Sequence, residues 1–161
     1  MNQKVEPCVR RLRFVLSNTE DVDLSKKPEL TEDDALKLQA LNALTEEVTD
    51  NVENYRLHLA AEKVYDYLWH VFADKIIEES KSILNGEDEN ARLSRQWTLF
   101  TILTTNLKLL HPFMPFVTEA IYQELPFKKE KFLMIYRLIK RHEKEVYFTS
   151  FHYPFSRNIF C

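Results

Sequence analysis

The residues best suited by type to bind something lie near the start of the chain: Arg10, Arg11, Arg13 and Phe14. Guanidinium groups present a planar fork of N–H donors that fits phosphate, and aromatic and guanidinium planes stack on unpaired bases. An ordinary amphipathic helix also lays Arg stems over apolar surface, so the cluster by itself leaves binding and packing both open. Later in the chain Arg137, Lys140, Arg141 and Lys144 would share one helical face, with Phe132, Ile135 and Ile139 opposite. Such a face is most often solvated, and a helix lying on a membrane surface is the weaker reading. Arg92, Arg95 and Lys108 add little individually.

Residue patterns for catalysis are missing. Helical di-iron sites use Glu-x-x-His pairs, but the residues three before the five histidines are Tyr55, Tyr67, Lys108, Ile139 and Thr149. His70, Asp74 and Glu78 recur at i, i+4, i+8 and have metal-ligand chemistry, yet the polar face of an amphipathic helix explains them as well and is preferred. Glu78 and Glu79 are adjacent and point to different faces, a poor acid–base pair. Cys8 and Cys161 form no Cys-x-x-Cys pair, and nothing around Cys8 would activate a thiolate. The single glycine, Gly86, rules out a Gly-rich phosphate loop, a dinucleotide-binding turn and a nucleophile elbow, which need glycine at close backbone approaches or at φ > 0. No catalytic, cofactor or metal site is expected.

The elements that would carry these residues are helical. The 161 residues are 45% hydrophobic and 29% charged, a length that buries one core without staples. Residues 19–30 read as an acidic loop. Thr31 with Asp34 is a capping-box-like start for a helix to about Asn51, with Leu38, Leu41, Leu44 and Val48 on its apolar face. A second helix from about Asn54 to Leu84 places Leu57, Ala61, Val64, Leu68, Phe72 and Ile76 on one stripe. Tyr65, Trp69 and Ile77 widen that stripe, so this helix is expected to be buried on more than one side. Asn85-Gly86 closes it, with Gly86 expected as a left-handed C′ residue. A third helix opens near Asp88–Ala91 and carries Leu93, Trp97, Phe100, Leu103, Leu107 and Leu110. It stops at His111 because Pro112 follows, and Pro115 starts a short helix closed by Pro126. A helix over about Cys8–Ser17 is also expected; 130–144 reads as an amphipathic helix and 146–153 alternates like a strand. The fold class is all-α, an up-and-down bundle of four or five helices over residues 1–135, with 136–161 a divergent tail.

The net charge of −3 conceals an uneven layout. Residues 19–53 hold three basic and eleven acidic side chains, while 126–161 hold eight basic and three acidic. With basic ends and an acidic middle, a polyanionic partner would meet the ends. No signal peptide and no run of 18 apolar residues is present, so a cytoplasmic protein without a membrane partner is expected.

Two strings carry a family likeness: Trp69-His70-x-Phe72-x-Asp74 within residues 55–81, and His111-Pro112-Phe113-Met114-Pro115-Phe116-x-Thr118-Glu119 within residues 109–126. Together with Arg13-Phe14-Val15-Leu16, they resemble the anticodon-binding domain of valyl-tRNA synthetases, a class Ia aminoacyl-tRNA synthetase family, over roughly residues 9–135. The resemblance implies a helical bundle that grips the anticodon stem and loop of a tRNA, valine tRNA in particular, and not DNA. It also implies that catalysis sits in a separate portion of the synthetase, bearing His-x-Gly-His and Lys-Met-Ser-Lys-Ser signatures and holding ATP and magnesium. Neither signature occurs here: the one glycine lies in Asn85-Gly86-Glu87, and neither Met114 nor Met134 stands in a Lys-x-Ser-Lys context. Upstream of Arg13 the family shows Lys-Leu-Trp-Asn-Ala, where this chain has Pro7-Cys8-Val9-Arg10-Arg11. No function is carried onto residues 136–161.

The expected tRNA contacts are Arg13 and Phe14 to loop bases, and Arg10, Arg11 and Lys108 to phosphate. Trp69, His70, Phe72 and the 111–116 corner are expected to be core and turn. The alternative is a protein-interaction module derived from the same domain that no longer binds tRNA.

Overall fold

The computed structural model describes residues 14–19 and 28–125. The expected helix over 130–144, the strand-like 146–153 and the side chains of Arg10, Arg11 and Arg13 lie outside the described residues.

Helix α1 spans Glu32–Glu53 and starts as its sequence dictates. Thr31 Oγ1 accepts from the Asp34 backbone N–H, and three acidic residues occupy the first turn beside the positive end of the helix. Leu38, Leu41, Leu44 and Val48 are buried, as the spacing predicts. The far end closes differently. The Tyr55 N–H donates to the Val52 carbonyl at 3.0 Å and the Arg56 N–H to the Asn51 carbonyl at 2.7 Å. This paired arrangement is a Schellman cap, and its left-handed residue is Tyr55, at φ 58°.

The second rod is continuous but not uniformly α-helical. It consists of α2 (Leu57–Asp66), a π-helical segment π1 (Tyr67–Ile76) and α3 (Ile77–Leu84). A π-turn takes in one residue more than an α-turn, so Tyr67, Phe72 and Ile77 line up, as do Leu68 and Ala73; all five are buried. The expected stripe therefore holds at Val64, Leu68, Phe72 and Ile76 and fails at Leu57, which is exposed. His70 is exposed rather than in the core, and Trp69 is half-buried, its ring 5.5 Å from that of Tyr65.

Helix α4 spans Glu89–Leu110, capped by Asp88, whose carboxylate accepts from the Asn90 and Ala91 N–H groups. Every residue from Ser94 to Phe100 is buried. The second rod packs against both α1 and α4, in line with burial on more than one side, but α4 is the more enclosed: it touches α1, α2, π1, α3 and the following helix. It reaches His111, where Pro112 stops it. Pro115 opens α5 (Pro115–Gln123), and Thr118 ties the corner, accepting from or donating to His111 Nδ1 at 2.8 Å and donating to the Met114 carbonyl at 2.9 Å.

The closure of the second rod also differs from expectation. Gly86 does not have positive φ. A Cβ there would instead meet the Ile83 carbonyl oxygen at 3.2 Å, so tight approach to the preceding turn, not handedness, favours glycine.

A buried polar cluster joins three helices. Asp34, at the start of α1, accepts from Ser94 Oγ at 2.6 Å and from Thr31 Oγ1 at 2.9 Å. Arg95, 1% exposed, sets its Nε 2.6 Å from Asp34 Oδ1, an ionic contact without hydrogen-bond alignment, and reaches Asp33 with Nη2 and Ser80 of α3 with Nη1. Arg95, which the sequence presents as one more scattered basic residue, is thus an internal clamp.

The cluster also sets topology. Because Thr31 and Ser94 are hydrogen-bonded, α1 and α4 start at one end of the bundle. Each has 22 residues, about 33 Å at the α-helical rise, so both finish at the other end. That second end carries the 54–56 turn and the 111–114 corner.

Candidate nucleic-acid interface

Of the five residues expected to touch RNA, Phe14 and Lys108 are described. Phe14 starts a short helical stretch over 14–17, is half-buried and packs on the core. Its ring faces the Lys81 ammonium, 6.0 Å from the centroid, at cation–π range. The stretch is closed by Asn18 Nδ2 donating to the Phe14 carbonyl at 2.8 Å and by Thr19 Oγ1 donating to the Val15 carbonyl at 2.9 Å. Gln96 of α4 then donates to the Asn18 carbonyl at 2.7 Å. Phe14 is thereby anchored at the end where α1 and α4 begin.

Lys108 is half-buried in the last turn of α4, where a cation is favoured by the helix dipole. The structure does not bring it to Phe14. Ser80, next to Lys81, bonds Arg95, and Arg95 to Lys108 is thirteen residues, about 20 Å along the helix.

Electrostatics of the bundle itself disfavour a polyanion. Residues 28–125 contain eight basic and eighteen acidic side chains. Many of those cations are already committed: Lys37 to Asp33 and Glu79, Arg56 to Asp50, Lys63 to Glu47 and Lys81 to Glu78. The Lys37 hydrogen bond, with help from Arg95, holds the Asp33 carboxyl below the usual carboxylate range, and Glu47 raises the Lys63 ammonium. The first two rods therefore show an acidic, internally paired outer surface. The net positive charge of the sequence lies in the residues outside 28–125.

His70 Nδ1 stands 3.7 Å from Asp74 Oδ2, and among the described residues no three His, Cys, Asp or Glu side chains converge as a metal site. No helix of the described residues is long and apolar enough to cross a membrane. Sequence reasoning missed the exposed aromatics, Tyr55 at 90% and Phe116 at 89%. Phe116 sits inside an apolar run that ordinarily signals burial, with Pro115 the one hint otherwise, whereas Tyr55 stands among Glu53, Asn54 and Arg56, polar residues that mark the turn.

Among the described residues the fold is an all-helical bundle with a net acidic complement of side chains. Residues 34–153 match the family described as the anticodon-binding domain of tRNA ligase, and the chain belongs to that family. It is 44% identical over 116 residues to the valine–tRNA ligase of Clostridium acetobutylicum, covering 70% of this chain and 13% of that enzyme. It is 46% identical over 114 residues to the Clostridium tetani enzyme of the same name, covering 68% and 13%. The Thermotoga maritima valine–tRNA ligase is 43% identical over 114 residues, covering 71% and 13%. The chain thus spans about one eighth of the length of these relatives, 13% in each case.

Proposed function

We propose that this domain binds the anticodon stem and loop of a tRNA, with valine tRNA as its cognate, in the cytoplasm. The observation that carries the reading is the family match over residues 34–153, together with relatives above 40% identity named valine–tRNA ligase. Amino-acid activation, with its ATP and magnesium, belongs in this reading to the catalytic portion of such an enzyme and not to this chain.

Arg13 and Phe14 are the proposed contacts to loop bases, and Arg10 and Arg11 to the adjoining phosphates. Since one side of the Phe14 ring faces Lys81, its stacking would use the remaining exposed part of the ring. Lys108, about 20 Å away along α4, is assigned to a separate phosphate on the stem. The acidic face of the first two rods turns away from RNA. The second reading, a protein-interaction module that has given up tRNA, draws on the net acidity of residues 28–125.

Titration of the chain against valine tRNA and an unrelated tRNA at two salt concentrations separates the two. The first reading expects selective binding that weakens steeply with salt, because binding releases counterions from neutralised phosphates. Arg13→Ala is expected to weaken it about tenfold, within the ~1–3 kcal/mol of one base contact, with helicity unchanged by circular dichroism. No binding to either RNA supports the module; an unaffected Arg13→Ala removes Arg13 from the site.

A further inference from the structure

The one glycine of the chain follows an asparagine, and the fold leaves that pair open to a reaction of its own. Asn85 caps α3, Gly86 lies in the turn that leads to α4, and both are exposed. Among the described residues the Asn85 carboxamide makes no hydrogen bond. The other asparagines of the bundle are placed differently. Asn18, Asn51, Asn54 and Asn106 each donate Nδ2 to the carbonyl four residues earlier. Asn42 lies inside α1, and Asn90 lies in the first turn of α4 with its N–H held by Asp88; each is followed by an alanine.

The chemistry open to Asn85 is ring closure. Its side-chain carbonyl carbon, Cγ, is an electrophile that the backbone nitrogen of the next residue can reach in a five-membered ring. A β-carbon on that next residue crowds the approach, and glycine has none. The fold also favours glycine at this place, because a Cβ at position 86 would meet the Ile83 carbonyl oxygen at 3.2 Å. A tight turn therefore keeps beside Asn85 the least hindered neighbour an asparagine can have. The turn's own bonding restrains the reaction. The Gly86 N–H donates to the Ile83 carbonyl at 3.1 Å, and Asn85 stands at ψ −2°, so the Gly86 nitrogen must leave Ile83 before it reaches Cγ. An exposed turn at the end of a helix opens at the low end of the local-unfolding scale.

We propose that Asn85 is a modification site, at which the chain converts itself through a succinimide to isoaspartate and aspartate. The deprotonated Gly86 nitrogen attacks Asn85 Cγ; the N–Cγ bond forms, the Cγ–Nδ2 bond breaks, and Nδ2 takes up a proton and leaves as ammonia. Water then opens the ring. Cleavage between the Gly86 nitrogen and Cγ gives aspartate. Cleavage between that nitrogen and the Asn85 main-chain carbonyl carbon gives isoaspartate, with the backbone rerouted through the side chain. One water enters, one ammonia leaves, and nothing is oxidised or reduced. Either product sets a carboxylate at the C-terminal end of α3, where the helix dipole disfavours it. That end also carries Lys81, whose ammonium faces the Phe14 ring.

Incubation of the full chain for several days at physiological temperature, at pH 7 and at pH 9, followed by tryptic digestion, tests this. Asn85 and Asn90 fall in one peptide, residues 82–92, so Asn90 is an internal reference. The mass gain of an amide-to-acid exchange should appear at Asn85 at least tenfold faster than at Asn90, and faster at pH 9 because the nucleophile is the deprotonated nitrogen. An isoaspartyl methyltransferase with S-adenosylmethionine should label that peptide. Asn85→Gln, which needs a larger ring, should abolish the labelling, and Gly86→Ala, with helicity retained, should slow it about tenfold. The urea-unfolded chain should react faster than the folded one. No gain at Asn85, gain there in the unfolded chain alone, an equal rate at Asn90, a product never labelled, or labelling of the peptide that persists in Asn85→Gln would each overturn the proposal. The urea midpoint of the aged parent should fall below that of fresh protein while aged Asn85→Gln holds its own; equal falls would overturn the structural consequence assigned to the modification.

Discussion

Two tyrosines separate what a side chain costs from what it contributes. Tyr55 occupies a left-handed cap where glycine is favoured, and it stands exposed. Tyr55→Gly is expected to raise stability by about 0.5–1 kcal/mol in urea unfolding, the relief of left-handed strain offset in part by glycine's extra freedom in the unfolded chain. Tyr67 is buried, its hydroxyl has no hydrogen-bond partner, and burial pushes its pKa up to about 12. The folded state therefore holds this proton more tightly than the unfolded chain does. Stability from the neutral phenol is complete below pH ~10 and falls as pH rises from there towards 12. Tyr67→Phe should remove that alkaline loss and, at neutral pH, raise stability by about 1 kcal/mol by deleting the orphaned hydroxyl. Urea midpoints of parent and variant between pH 7 and pH 11 check both parts. Neither tyrosine's situation was legible from sequence: a cap that breaks the glycine preference and a hydroxyl left unpartnered both go against the local rules by which sequences are read.

Among the elements, what could be read in advance tracks how local its cause is. The start of α1 and the start and stop of α4 were legible because Thr31, Asp88 and Pro112 act on their own neighbours. The π1 segment was not, since an apolar stripe is read on a 3.6-residue period and Tyr67 falls off it. The enclosure of α4 was hidden for another reason: its buried positions include Ser94, Arg95, Gln96, Thr98 and Asn106, types that signal a surface until their partners are known. Arg95 is the sharpest instance. Arg95→Met should destabilise the fold by about 3–5 kcal/mol, because it leaves the Asp34 carboxylate buried and uncompensated. Adding Asp34→Leu to Arg95→Met should recover much of that loss, as replacing a buried pair by apolar side chains is close to neutral. Denaturant melts of the single and double variants decide it, and equal loss in both would contradict the role assigned to the clamp.

At the scale of the molecule, the family was legible from two short strings, and the candidate site only in part. The sequence contains Phe14 beside three arginines, but whether that ring is free depends on Lys81, 67 positions away, and on its packing against the core. Charge layout was legible and has consequences for binding: with eighteen acidic and eight basic side chains in residues 28–125, most of the salt dependence of RNA binding should come from the basic residues outside that range, with Lys108 the one proposed contributor inside it. Neutralising Arg10 and Arg11 together is expected to reduce the slope of log affinity against log salt by about two, and Arg92→Ala to leave it unchanged. The Arg95 clamp has one more consequence, in time. Its links to α1, Arg95–Asp33 and Ser94–Asp34, span sixty residues or more, whereas Arg95–Ser80 spans fifteen and α1 meets the following rod through nearer pairs such as Glu47–Lys63. Loop closure favours the nearer pairing first. The α1 side of the clamp would then form after the rate-limiting barrier, and breaking it would leave refolding nearly as fast while the native protein opens sooner. The residue that fastens the bundle governs how long it lasts, not how quickly it assembles.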